Sequence, residues 1–318
     1  MKHIFLYDPK AFFDQQWKMD TILDHIGQFF RTQENPDWSI HMSRYRRDAI
    51  VIIQEELGKG AISQGARVYA IGGEEILFDC INGAAHFPNV QVSVIPHGEF
   101  SNYTSIFGDK AIESFRDIPS VIQGEAHPTD LIRWGVNYAL TSCYIGLNSV
   151  MAANVKNLKA SLGKGIFMIF SKFTGIITSL LTIFDKSIID QEYKITIDDA
   201  DYSGHYCLVH VANGPYHLGK KTGLKDAVPN DGVLDIALIR SSGPLRTLMA
   251  VRRYSRGGRS RHGVYLQAKK ISIRSEKQMW IHLDNEYFQD THVEISVASQ
   301  IIQMAAPAGL KYPPAALS

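Results

Sequence analysis

The stretch Val68 to Phe107, VYAIGGEEILFDCINGAAHFPNVQVSVIPHGEFSNYTSIF, constrains the fold more than any other part of the chain. An apolar run, Val68 to Ile71, stops at Gly72-Gly73. A helical pattern follows, with Ile76 or Leu77, Cys80, Ile81 and Ala84 on one face. A second β-rich run, Val90 to Ile95, stops at Pro96-His97-Gly98. Strand, glycine turn, helix, strand, glycine turn describes an open α/β sheet, where ligands bind at the carboxyl ends of strands. Glycine at such a turn lets backbone approach a phosphate that a Cβ would hold off.

The flanking segments extend the pattern. Ile4 to Tyr7 predicts a first strand ending at Asp8-Pro9. Met19, Ile22, Leu23, Ile26, Phe29 and Phe30 recur at helical spacing, and Asn35-Pro36-Asp37 breaks that helix. Trp38 to Met42 predicts a second strand, followed by Ser43 and the arginines of Arg44-Tyr45-Arg46-Arg47-Asp48-Ala49. Those arginines either face a phosphate or sit solvated at a helix start. Ile50, Ile53 and Leu57 mark the next helix, stopped near Gly58 or Gly60. Ile118 to Ile122 is expected as a strand. Beyond it lie β-rich runs at Tyr138 to Leu147, Tyr193 to Ile197, Tyr206 to Ala212, Leu234 to Ile239, Lys270 to Ile273 and Met279 to His282.

In order and spacing these segments resemble the diacylglycerol kinase catalytic family, bacterial lipid kinases included. That family carries GGDGT, then an acidic residue and NG, then a strand ending in PxGTxND. Gly72-Gly73-Glu74-Glu75-Ile76 stands at the first position, Asp79 and Asn82-Gly83 at the second, and Pro96-His97-Gly98-Glu99-Phe100-Ser101-Asn102 at the third. Farther on, YALTSCYIGLNS resembles the family's FvNvaslGfda, VHVANGPYHLG its vaVaNgpyyGGG, Asp231 to Asp235 its DGxLD, and Leu283-Asp284-Asn285-Glu286 its LDGE. The resemblance spans nearly the whole chain.

It implies an α/β fold: a Rossmann-like N-terminal domain, residues 1–130 with about 299–318, and a C-terminal β-sandwich domain, residues 131–298, of the NAD kinase and diacylglycerol kinase type. It implies ATP-dependent phosphorylation of a lipid hydroxyl such as diacylglycerol. Glu286 takes the position of the catalytic base, with Asp284 beside it. Ser43, Gly72, Gly73, Glu74, Glu75, Ile76, Gly98 and Glu99 take nucleotide positions. Asp231, with carbonyls of Val228 and Val233, takes the place of a structural metal site suited to magnesium or calcium; a tight turn before a strand is the other reading of that loop. Asn285 replaces a glycine and is expected to tolerate a positive φ.

Several of the residues that would touch ATP depart from the family. DPKAF lacks the Ser-Gly turn that follows the first strand, leaving Lys10 as a loose phosphate contact or a solvated lysine. Glu75 puts bulk and charge where the family has glycine, Ile76 and Glu99 each lose a threonine hydroxyl, and Ser101-Asn102 loses a carboxylate. Three acids, Glu74, Glu75 and Glu99, are expected to border the phosphates, and like charges about 4 Å apart repel by roughly 1–4 kcal/mol. The expectation is a weak or absent ATP response. A pseudokinase, a binding or regulatory protein that kept the cleft, is the alternative to an active kinase.

Composition excludes other classes. The 318 residues are 45% hydrophobic and 20% charged, a globular balance with room for two domains. A net charge of +1 gives no global attraction to nucleic acid or membrane. The one strong charge cluster, Arg252 to His262, is expected to be a solvated loop or a contact to anionic lipid. Cys80, Cys143 and Cys207 lack metal spacing and are expected as buried thiols. MKHIFLYDPK is too short and polar for a signal peptide. Ile166 to Phe184 is long enough to span a bilayer, but Lys172 and its hydroxyl residues favour a buried or half-buried helix. The protein is expected in the cytoplasm, peripheral at the membrane.

Overall fold

The computed structural model describes residues 1–13, 15–58, 65–97, 101–108, 110–147, 149–150 and 190–312. The expected helix within 166–184 and the expected nucleotide residues Gly98 and Glu99 lie outside them. The N-terminal half alternates strand and helix: β1 (Lys2–Tyr7), α1 (Gln16–Arg31), β2 (Trp38–Met42), α2 (Asp48–Gly58), β3 (Ala66–Gly72), α3 (Glu74–Ala84) and β4 (Val90–Pro96). The four strands pair in parallel in the order β4-β3-β1-β2. β3 is buried at every position, which is why Val68 to Ile71 reads as a continuous apolar run instead of an alternating one.

Two family positions explain themselves by packing. A Cβ on Gly83 would meet Ile53 of α2 at 3.0 Å, so glycine there lets α2 and α3 approach closely. Beside it, Asn82 Nδ2 donates to the Phe78 and Tyr138 carbonyls, and Asn82 Oδ1 accepts from Tyr138 N–H, each at 2.8 Å. One side chain thereby docks α3 onto β6 (Asn137–Ala139) of the following half.

Short helices α4 (Asn102–Ser105), α5 (Ala111–Ser114) and α6 (Ile118–Ile122) follow β4. The strand expected at 118–122 is therefore a helix. Pro119 sits in its first turn, where a missing N–H costs nothing, and Ile118, Val121 and Ile122 share one buried face at i, i+3 and i+4. Arg67, almost wholly buried in β3, donates to the carbonyls of Ile122 and Gly124, each at 2.8 Å, and fixes the end of that helix.

The rest is mainly antiparallel: β5 (Glu125–Trp134), β6, β7 (Ser142–Gly146), β8 (Gln191–Ile197), β9 (Ala200–Asp201), β10 (Gly204–Ala212), the small pair β11 (Tyr216–His217) and β12 (Lys220–Lys221), β13 (Leu234–Arg240), β14 (Gly263–Ala268), β15 (Lys270–Leu283) and β16 (Glu286–Ala306). The single run expected at 138–147 is broken at Leu140-Thr141, and the two runs expected at 270–282 form one long strand with an irregularity between Arg274 and Met279. Helix α7 (Pro244–Tyr254) lies between β13 and β14. β16 begins antiparallel to β15 and ends parallel to β4, through Gln303–Gln91 and Met304–Val92, which joins both halves in one hydrogen-bonded path. Val209, Val211, Leu238, Ile271, Ile281 and Ile295 are among the buried residues of the second half's core. All three cysteines are buried and free.

Candidate active site

Gly72 ends β3 with φ +146°, and a Cβ there would press on Ile76 Cγ2 at 3.0 Å. Gly73 is the N-cap of α3 and makes no side-chain cap, and no atom lies within 4 Å of where its Cβ would be. β15 and β16 form a hairpin whose tight end is Asp284-Asn285. A cavity of about 210 Å³ is lined by Asp8, Lys10, Ser43, Tyr45, Arg46, Glu75, Ile76, Asp79 and Glu286; the expected nucleotide residues Gly72 and Gly73 precede Glu75 and Ile76 in the chain but do not line it.

Glu286 is the one cavity residue contributed by the second half of the chain, and it is 4% exposed. Its carboxylate forms an ion pair with the Arg46 guanidinium, which reaches across from the segment between β2 and α2. Arg47, at φ +64°, turns the other way: it donates to Asn137 Oδ1 at 3.2 Å and lies against the Phe78 and Phe288 rings. Asp79, one α3 turn beyond Glu75, borders the same space. Burial raises its carboxyl to about 6 against the lowering effect of Arg47.

The structure separates residues that the sequence groups together. Glu75 lines the cavity, and its charge acts on Asp79 and Tyr287. Ile76 lies at the cavity wall but is 2% exposed and belongs to the core beneath β3. Ser43 lines the cavity and is held by its N–H to Tyr7 C=O at 2.9 Å. Glu74, expected to border the phosphates, does not line the cavity: its Oε1 accepts from Asn102 N–H at 2.9 Å, and burial with Asp284 nearby raises its carboxyl to about 7. It clasps the start of α4, with Ser101 as a second hydrogen-bond partner.

Asp284 is likewise held away from the cavity lining. Both its oxygens are engaged by residues 140–142: Oδ2 accepts from Leu140 N–H at 2.6 Å, and Oδ1 from Thr141 N–H, Thr141 Oγ1 and Ser142 N–H at 3.0, 2.6 and 2.9 Å. It pins the hairpin that carries Glu286 and is no partner to it in the cavity. The positive φ of this turn, +48°, also falls on Asp284 and not on Asn285, because the aspartate side chain satisfies the neighbouring loop from that conformation.

In the loop before β13, Asp231 Oδ1 accepts from Val233 N–H at 3.2 Å and Oδ2 from Gln267 Nε2 at 3.5 Å. The neighbouring Asp130, fully buried, accepts from Gly232 and Gln300 N–H, both at 2.7 Å. Among the described residues no three acidic, histidine or cysteine side chains converge as a metal cluster. The oxygen of Asn230, however, is buried without a partner next to Asp231. An orphan amide oxygen beside a carboxylate is donor chemistry of the kind a hard divalent cation takes.

The sequence did not single out Asp8, Tyr45 or Asp79 as site residues, and left Lys10 and Arg46 undecided between site and solvent. For Asp8, Lys10, Tyr45 and Arg46 the signal was position, just past a strand's carboxyl end; for Asp79, in the middle of α3, it was the family's acidic residue before NG.

The profile of the YegS C-terminal NAD kinase beta sandwich-like domain matches residues 142–306, just over half of the chain. Proteins named "Putative lipid kinase" in Staphylococcus aureus strains JH9 and N315 are each 26% identical to it over 270 residues, covering 84% of this chain and 85% of theirs. Two solved structures, each described as a "putative diacylglycerol kinase from Bacillus anthracis str. Sterne", have the same fold. One superposes with a TM-score of 0.72 at 21% identity over 98% of both chains; the other with 0.70 at 22% over 96% of this chain and 98% of that one. With the glycine turns, the sandwich and the profile in agreement, the chain belongs to the diacylglycerol kinase and YegS type of bacterial lipid kinase family.

Proposed function

We propose that the protein transfers the terminal phosphoryl group of ATP to the hydroxyl of a lipid such as diacylglycerol, with Glu286 as general base. The observation that carries this reading is the position of Glu286: a buried carboxylate on the wall of a cavity that Glu75 and Ile76, from the first turn of α3, also line. In that role Glu286 accepts the hydroxyl proton as the lipid oxygen bonds to phosphorus and the bond to the leaving ADP oxygen breaks. Arg46 pairs with the carboxylate at the cavity wall. Gly73 and the uncapped start of α3 leave backbone N–H groups for phosphate oxygens, and Ser43 adds a hydroxyl.

The cavity lining carries four acids, Asp8, Glu75, Asp79 and Glu286, against two bases, Lys10 and Arg46. A nucleotide therefore fits only as its magnesium complex. Glu75 and Asp79 supply the hard oxygens that would hold the metal, which contributes charge neutralisation of the phosphates. Asp231 with the Val228 and Val233 carbonyls is the proposed structural magnesium site. This reading divides the chain at about Asp130, with residues from about 299 returning to the first domain.

The Glu75 carboxylate inside the cavity favours a second reading, a pseudokinase that kept the cleft and lost ATP. Two measurements separate the readings: the thermal shift with magnesium-ATP, and transfer of label from ATP to diacylglycerol in mixed micelles. An active kinase shows both, and Glu286→Gln keeps the shift while losing transfer. A pseudokinase shows neither, and Glu75→Gly restores the shift alone. Transfer undiminished in Glu286→Gln would refute the assignment of the base.

A further inference from the structure

We propose that α7 is an interfacial anchor that seats the protein on an anionic lipid bilayer. The helix reads PLRTLMAVRRY and contains no acidic residue. Its inner side, Thr247, Ala250, Val251 and Tyr254, is buried, and the apolar residues among these pack on a cluster that includes Tyr144, Leu208, Ala237 and Ile239. Its outer side is not the polar surface this packing predicts. Leu245 is 69% exposed and Met249 55% exposed. At one hundred degrees per residue they fall in a single stripe with Arg252, at i, i+4 and i+7, and Arg246 and Arg253 run along its flank.

Arg246, Arg252, Arg253 and Arg256 are exposed, and none has an ion-pair partner among the described residues. By contrast, Arg259, in the following loop, is engaged by Asp226 at 3.6 Å and by the Tyr265 ring. Unpaired arginines around exposed leucine and methionine match one partner. The apolar pair enters the acyl boundary, the guanidinium groups meet lipid phosphates, and the helix axis lies in the membrane plane. A second copy of the chain is disfavoured, because a two-fold contact through this face would set arginine against arginine. Nucleic acid would engage the arginines and leave Leu245 and Met249 nothing to bury.

The test is co-sedimentation of the full chain, without ATP, with vesicles of phosphatidylcholine alone and of phosphatidylcholine with about a third phosphatidylglycerol. Wild type pellets with the anionic vesicles only, and binding weakens in high salt. Arg246→Ala, Arg252→Ala and Arg256→Ala together lower the partition about a hundredfold, and Leu245→Ser with Met249→Ser lowers it at least about tenfold. All of these side chains are exposed, so thermal melting remains that of wild type. Val136→Ser, at another exposed apolar site, and Glu286→Gln bind as wild type does; the latter separates docking from catalysis. Equal sedimentation of the α7 variants and wild type, binding to neutral vesicles alone, or no binding at all would overturn the proposal, whatever the outcome for phosphoryl transfer.

Discussion

Glu74→Gln tests whether the glutamate at the phosphate turn is a nucleotide contact or an internal clasp. Its carboxyl titrates near 7 in the folded protein against a reference of 4.5, chiefly through burial and then through the Asp284 charge. The folded value lies above the unfolded one, so the folded state keeps the proton where the unfolded chain has released it. The stability from this group is complete below about pH 4.5 and is lost as pH rises through about 7. At pH 8 the gap corresponds to about 3 kcal/mol. Glutamine keeps an oxygen for Asn102 N–H and presents its amide to Ser101, but carries no charge. The variant should match wild type at pH 5 and exceed it at pH 8 by about 2–3 kcal/mol, or about 5 °C in melting temperature for a chain of this size. Thermal melts of both proteins at the two pH values measure the difference, in which the other titrating groups cancel. An equal effect at pH 5 and pH 8, or a loss of stability at pH 8, would refute the buried-clasp reasoning.

Arg46→Ala leaves the Glu286 carboxylate buried without its cation; denaturant unfolding should show a loss of about 1–3 kcal/mol. Asn82→Ala removes the paired hydrogen bonds to the Tyr138 backbone and leaves those groups buried; denaturant unfolding should show a loss of about 2–4 kcal/mol. Asp284→Asn retains at most part of the four-donor cage at residues 140–142; it should cost about 2–4 kcal/mol, and lower turnover through a displaced Glu286 while leaving the magnesium-ATP thermal shift unchanged.

The sequence by itself determined the α/β half and the β-rich half. Continuous apolar runs that end in glycine specify parallel strands with ligand turns, and the ordered motifs from Gly72 to Glu286 specify the family. Local chemistry accounts for this: strand length, glycine conformation and hydrophobic period act over a few residues and are written where they act. It misread Ile118 to Ile122, where burial at helical spacing and Pro119 outweigh β-branched propensity. It flagged the arginines from Arg252 onward but not the exposed Leu245 and Met249 beside them on α7, since both look like core residues by local pattern.

Tertiary structure decided how the acids divide their work. Glu74, Glu75, Asp79, Asp284 and Glu286 are alike in composition. Which of them faces the cavity depends on what lies behind each one: Asn102 draws Glu74 inward, the 140–142 loop takes both oxygens of Asp284, and Arg46, 240 positions from Glu286, holds that carboxylate at the wall. Such pairings join residues far apart in the chain. Burial and hydrogen bonds formed only on folding set both the direction and the charge of each carboxylate, and no local pattern in the sequence records them.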